Sequence, residues 1–208
     1  MAKFIQFIKN KYLLVKKILI FPASQRKNSI NQHLACELAR LLSAENNDVN
    51  IDFLSADHVD LPLFNQDLEQ DETVLEKVIP LYQRFLEADA LLVITPEYNG
   101  SFSPYLKNTI DWVSRIPRLF EGDSSPFLGK PLLLASATLG QSGGVVGMQS
   151  TRLVFNYLGS LVFEEQISLP FALKAWNESN TFNDSNLELA LRATLERFIA
   201  SIDTSSAM

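Results

Sequence analysis

The stretch Ala90–Thr95 (ALLVIT) is an unbroken uncharged run that stops at Pro96. It is too short for a stable helix and shows no polar alternation, so it reads as a strand buried on both faces. A strand of that kind needs cover on each side. Four further segments read as strands: Lys17–Pro22 (KILIFP), Val49–Leu54, Pro131–Ala137 (PLLLASA) and Leu161–Ile167. Helical patterns separate them. Ser29–Leu42 places Ile30, Leu34, Leu38, Leu41 and Leu42 on one face. Glu72–Glu87, Ser103–Arg115, Val145–Leu158 and Asn186–Ile202 follow, and Pro80 is expected to kink or split the second helix. Asp57–Leu68 reads as a long surface loop around Pro62, and the chain is irregular from the fifth strand to Asn183.

Strands alternating with helices predict an α/β three-layer sandwich around a mostly parallel sheet. Right-handed crossovers leave few topologies for five strands, and the order 2-1-3-4-5 is the one expected. Ligands of such sheets sit beyond the carboxyl ends of the strands, near the point where the strand order reverses. The loops after strands one, three and four are therefore the ones to inspect.

Length and composition narrow the class further. The chain has 208 residues, 47% of them hydrophobic and 20% charged, which suits one globular domain and no disordered chain. The net charge is −6 although residues 1–17 carry five lysines and no acid, so the acidic excess lies in the rest. An acidic body argues against a nucleic-acid partner. No apolar run reaches the roughly 18 residues of a membrane span, so no integral membrane association is expected. The single cysteine, Cys36, excludes an internal disulfide and points to a cytoplasmic protein. Residues 1–16 form a basic extension: Lys9, Asn10 and Lys11 interrupt any signal-peptide core, and Phe4, Ile5, Ile8, Tyr12 and Val15 roughly follow helical spacing. A membrane-surface helix and a segment packed on the domain or a neighbouring subunit both remain open, with packing preferred. The domain is expected over 17–203, with a polar tail at 204–208.

The first loop runs Ala23-Ser24-Gln25-Arg26-Lys27-Asn28-Ser29-Ile30-Asn31. Its hydroxyls, its guanidinium and the free N–H groups of a helix start make an anion site. It lacks the glycine patterns of nucleotide triphosphatases and dinucleotide folds. Alone, it is as well explained by Ser29 as a helix cap and Arg26 as a solvated charge. The second loop, Thr95-Pro96-Glu97-Tyr98-Asn99-Gly100-Ser101, suits a flat heteroaromatic ring, with backbone donors for ring acceptors. Asn99-Gly100 favours a hairpin turn, but a helix rather than a strand follows it. The third loop holds four of the eight glycines, between positions 140 and 147. Such clustering suggests backbone packed on a ligand, or a flexible turn. His33 and His58 have no metal-ligand spacing, Cys36 reads as an inert helix-buried thiol, and no metal site is expected.

Together these loops resemble the NADPH-dependent FMN reductase family, a flavodoxin-like group of quinone, chromate and azo-dye reductases. The first loop is similar to that family's GSxRxxSxN phosphate element. Thr95–Arg115 (TPEYNGSFSPYLKNTIDWVSR) is similar to its most specific signature, and GKPLLLASATLGQSGGVVGMQ and Leu61–Glu69 (LPLFNQDLE) resemble two more of its elements. The likeness spans roughly residues 17 to 170. It implies that Ser24, Arg26, Ser29, Ile30 and Asn31 surround the FMN phosphate. Pro96, Glu97, Tyr98 and Asn99 would line the isoalloxazine ring, and Ser136, Gly140, Gln141, Gly143 and Gly144 would complete the pocket. Ala23 and Asn28 stand where the family often has glycine. The implied function is an NAD(P)H oxidoreductase that passes electrons from NADPH or NADH through FMN to a small acceptor: a quinone, azo compound, metal oxyanion or free flavin. The cofactor carries the chemistry, so no catalytic side chain is assigned. A homodimer or homotetramer with the site near a subunit interface is also implied. The rival readings are a flavin-binding electron carrier or sensor with little turnover, and a relative that uses flavin as a substrate.

Overall fold

In a computed structural model, which describes residues 15–45, 48–120, 124–179 and 181–205, all five expected strands form. β1 (Lys16–Pro22), β2 (Val49–Phe53), β3 (Ala90–Ile94), β4 (Pro131–Ala137) and β5 (Leu161–Leu169) pair in parallel in the order β2-β1-β3-β4-β5. The period of two in the strands divides their side chains between two cores. Ile18, Ile20, Leu92, Ile94 and Leu133 pack under α1 (Ile30–Glu45) and α6 (Ser185–Ser205). Leu19, Phe21, Leu91, Val93 and Leu134 face the opposite core, with α2 (Glu72–Glu87), α3 (Pro104–Val113) and α5 (Val145–Tyr157). A four-residue helix, α4 (Ile116–Leu119), ends the α3 segment that the sequence presented as one helix to Arg115.

Helix α2 is not split at Pro80. The proline lies on its exposed face, where water can meet the carbonyl that the missing N–H leaves unbonded. Asp71 caps its start, accepting the Thr73 and Val74 N–H groups. Lys130 closes its end, donating to the Leu86 carbonyl at 2.9 Å and also to that of Ala88. Burial pushes the Lys130 pKa down, and Asp89 opposes that shift. The loop after β2 contains two short 3-10 turns, Ala56–His58 and Gln66–Leu68, and α6 continues to Ser205, past the expected start of the tail. The basic leader lies outside the described residues up to position 14. No described helix is long and apolar enough to cross a membrane.

A run of edge-to-face rings ties α2 and α5 to the sheet: Phe21–Phe85 at 5.9 Å, Phe85–Phe127 at 5.6 Å and Phe127–Phe155 at 5.8 Å. Phe127 is fully buried, although it comes from the segment that precedes β4. Phe127→Ala removes the ring that two others contact, and is expected to cost about 3–5 kcal/mol in urea unfolding. A loss below ~1 kcal/mol would show that the ring run does not support the fold.

Candidate functional site

The parallel register brings the carboxyl ends of the central strands level, with Pro22 opposite Ile94 and Ile94 opposite Ala135. Three side chains then fasten the loops beyond those ends to one another. Asn31, in the first turn of α1, donates to the Ala137 carbonyl at 3.0 Å and accepts the Ala137 N–H at 2.9 Å. Ser103, the N-cap of α3, accepts the Leu106 N–H and donates to the Ala23 carbonyl at 2.7 Å. Glu97 accepts the Gly147 N–H at 2.9 Å, in the first turn of α5, and the Ser142 hydroxyl at 3.4 Å. A carboxylate suits a helix N-terminus, where free N–H groups and the dipole favour negative charge. Gly147 is what lets Glu97 come so near, because a Cβ there would lie 3.1 Å from the Glu97 Cγ.

The fastened loops enclose a cavity of about 220 Å3 lined by Ser24, Arg26, Ser29, Ile30, Asn31, Pro96, Glu97 and Tyr98, with Ala137, Thr138 and Leu139. The first eight are residues singled out from the sequence. The last three were not; they follow directly from the rule that ligands meet a strand's carboxyl end. Asn99, Ser136, Gly140, Gln141, Gly143 and Gly144 do not line this cavity. Ser136 is fully buried, and its side chain follows Leu132 and Leu134 onto the α5 side of the sheet rather than into the open edge. The glycines above it have an internal reason. A Cβ on Gly144 would lie 2.0 Å from the Ser136 hydroxyl, and one on Gly143 would lie 2.0 Å from that of Ser168. Both have positive φ, so the turn packs directly on the ends of β4 and β5.

The Asn99-Gly100 pair does make the two-residue hairpin turn, despite the helix that follows. Both φ angles are positive, 52° and 73°, and Tyr98 and Ser101 exchange backbone hydrogen bonds of 2.8 and 3.0 Å. This occupies the Tyr98 N–H and presents its ring at the rim, 47% exposed. In the first loop Asn28 takes φ of 56°, a left-handed conformation that asparagine tolerates better than most residues. Ser29 caps α1, accepting the Asn31 N–H at 3.2 Å. The Ser29 N–H closes the turn over Lys27 and Asn28; among the described residues, the Arg26 guanidinium and the other N–H groups from Gln25 to Ile30 have no partner, and the loop contains no carboxylate. That donor set fits a phosphate. Asn31 contributes differently: both ends of its amide are committed to Ala137.

The helix of the most specific motif acts outside the cavity. Asn108 and Trp112 both donate to the Pro62 carbonyl, at 2.9 and 2.8 Å, and Asn108 accepts the Phe64 N–H at 2.7 Å. Phe64 packs edge-on to Trp112 at 5.0 Å and lies under Arg115, which pairs with Glu69 at 2.5 Å. His58 accepts or donates a bond with Ser55 at 3.1 Å, and His33 stacks on Trp176. Cys36 is exposed on α1, not buried as expected, because it faces away from the Leu34–Leu38 stripe. Partial burial of its thiol, with Glu37 beside it, pushes its pKa up.

Comparison with known proteins agrees with this architecture. The model of the NADPH-dependent FMN reductase family matches residues 16–174. A quinone reductase of Escherichia coli K12 is 30% identical over 149 residues, covering 72% of this chain and 74% of the relative. A 2-hydroxy-1,4-benzoquinone reductase of a Burkholderia species is 33% identical over 149 residues, covering 72% and 75%. Among solved structures, FerB, a flavoenzyme NAD(P)H:(acceptor) oxidoreductase from Paracoccus denitrificans, superposes with a TM-score of 0.78. Its sequence identity is 25%, and the match covers 92% of this chain and 99% of that one.

Asn31→Ala leaves the Ala137 N–H and carbonyl without their partner, each a loss of about 1–3 kcal/mol where water cannot enter. The same change is expected to raise hydrogen-exchange rates at Thr138 and Leu139 before the strands open. Unchanged exchange there would remove Asn31 from its positioning role.

Proposed function

The chain belongs to the NADPH-dependent FMN reductase family, and from that premise we propose how its own residues serve the reaction. It is a flavin-dependent NAD(P)H oxidoreductase. FMN held in the site cavity would supply the redox chemistry that links NADPH or NADH to a small acceptor, here proposed to be a quinone. The similarity to two quinone-reducing relatives supports that acceptor class. Arg26 and the unpartnered N–H groups of the first loop hold the phosphate, assisted by the Ser24 and Ser29 hydroxyls. Pro96, Tyr98 and the Asn99-Gly100 turn present the ring-binding edge, and Ala137, Thr138 and Leu139 join them from the third loop. Glu97 holds α5 in place and, committed to Gly147 and Ser142, is not assigned as a general base. The single observation that carries this reading is the anion cradle on the same cavity as Tyr98.

The cavity is smaller than the roughly 300–1,000 Å3 that encloses a whole ligand, which supports a site completed by a second copy of the chain. A larger cavity, about 840 Å3, runs between the α3–α4 segment and α5, over Phe64, Ile110, Pro117 and Val154. On its α5 wall Leu153 and Tyr157 are 71% and 88% exposed. Val146, on the same helix, stands 3.5 Å from where a Cβ on Gly100 would be, so this apolar face begins at the site rim. We assign it to self-association as a homodimer or homotetramer. A cytoplasmic location belongs to the same proposal, drawn from the family resemblance and the reduced nicotinamide that the reaction needs.

Light scattering is expected to give a dimer or tetramer for the wild type and a monomer for Tyr157→Glu; a monomeric wild type contradicts the oligomer. For the activity, FMN-loaded protein is expected to lose its visible flavin band on anaerobic addition of NADPH. Turnover with a benzoquinone should then give parallel double-reciprocal lines. A flavin that stays oxidised favours the carrier or sensor, and colourless protein that FMN cannot reconstitute contradicts the cofactor site.

A further inference from the structure

One wall of the site cavity is apolar and left uncovered. Leu139 lines the cavity and is still 57% exposed. The segment after β5 runs alongside it. There the Phe171 N–H donates to the Gly140 carbonyl at 3.0 Å, and the Ala172 N–H donates to the Thr138 carbonyl at 2.9 Å. Those bonds flank Leu139 and fix the backbone of Phe171 beside the third loop.

Phe171 takes φ of 47°, a conformation in which a bulky residue is an outlier. Its neighbours hold it there. Ala172 is fully buried, Pro170 lies so near that a Cβ on Gly143 would come within 3.3 Å of its Cδ, and the Phe171 carbonyl accepts the Lys174 N–H at 2.8 Å. Phe171 itself is 49% exposed. Strain that keeps an aromatic residue half in water gains nothing for the core, and strain of this kind clusters at functional sites.

A single exposed leucine or phenylalanine is ordinary. These two adjoin at the edge of one cavity, on the α1–α6 side of the sheet, where Ala172 packs with Leu169 and Phe182. The apolar face assigned to self-association begins at Val146 on α5, which packs on the opposite side. A second copy docked on α5 therefore leaves Leu139 and Phe171 to the acceptor. Neither flanking segment, 138–144 or 170–175, carries an acid. Their one charge is Lys174, whose Nζ lies 5.9 Å from the Phe171 ring centroid.

We infer that Leu139 and Phe171 form a specificity lip, and that the acceptor is a quinone bearing a hydrocarbon chain that lies along them. The inference rests on the proposed flavin site and its quinone acceptor. The chain gains affinity by leaving water against the two side chains. A metal oxyanion or a chain-free quinone has nothing to bury there. The chain takes no part in the reaction: NADPH, the quinone and one solvent proton become NADP+ and the hydroquinone, with the two electrons of the hydride passing to the quinone.

The FMN-loaded full chain is assayed for kcat/KM with benzoquinones that carry no chain, a butyl chain or a hexyl chain, and with chromate. Each methylene fully removed from water is worth about fourfold in affinity, so wild type is expected to gain about tenfold or more from no chain to hexyl. Phe171→Asn removes the ring and keeps a residue that tolerates the left-handed backbone. It is expected to hold that gain below about threefold, while turnover of chain-free benzoquinone and bleaching by NADPH stay within about twofold of wild type. A flat series in wild type, or a gain that Phe171→Asn retains, overturns the inference and leaves the reductase reading standing. An equal loss of chromate and hexylquinone turnover in Phe171→Asn overturns it as well, because chromate has no chain. A flavin that NADPH does not bleach overturns both.

Discussion

The two hydrogen bonds between the Asn31 amide and the Ala137 backbone join helix α1 to the end of β4 across β3, and the loop arrangement depends on them. Without a fixed distance between those elements, three loops from three strands would share an edge but no cavity. Ser103 and Glu97 complete the fastening, one joining the first loop to α3 and the other joining the second loop to α5. Each of the three side chains meets a backbone group that its own secondary structure leaves unbonded. The same bonds therefore satisfy helix ends and strand ends while they locate the cavity.

Several residues of the family-like motifs are architectural. Trp112 and Asn108 hold Pro62 and Phe64, Lys130 closes the end of α2, and Glu97 closes the start of α5. None of these roles requires a bound ligand. A motif can therefore be specific to a family because it fixes the frame in which a cofactor site stands. The parts left open to a ligand are simpler: an unpaired guanidinium, a row of free N–H groups, and a tyrosine ring at a rim.

The strands were legible because β1, β3 and β4 are covered on both faces, and such strands leave uninterrupted apolar runs such as ALLVI and PLLLASA. Their order followed from connection rules rather than from any residue. The first two loops were legible because their polar residues face outward from a helix start and a tight turn. The third was harder to read: glycine clustering drew attention to Gly143 and Gly144, whose close neighbours are Ser168 and Ser136 of the protein itself. Ser136 follows the strand's own alternation, which turns it toward α5. The hairpin at Asn99-Gly100 and the unbroken helix through Pro80 show local geometry prevailing over a neighbour-based expectation, since solvent exposure makes each inexpensive. The place of Phe171 beside Leu139 had no sequence signal, because it comes from the irregular segment after β5.

The first loop is proposed to recognise the phosphate of a flavin nucleotide. Calorimetric titration of wild-type and Arg26→Ala protein with FMN and with riboflavin tests it most directly. A charged hydrogen bond of about 1.5–3 kcal/mol corresponds to roughly 10–100-fold in affinity. Wild type is expected to bind FMN at least tenfold more tightly than riboflavin, and Arg26→Ala to remove most of that difference while riboflavin affinity holds. Equal affinity of wild type for the two flavins would contradict it.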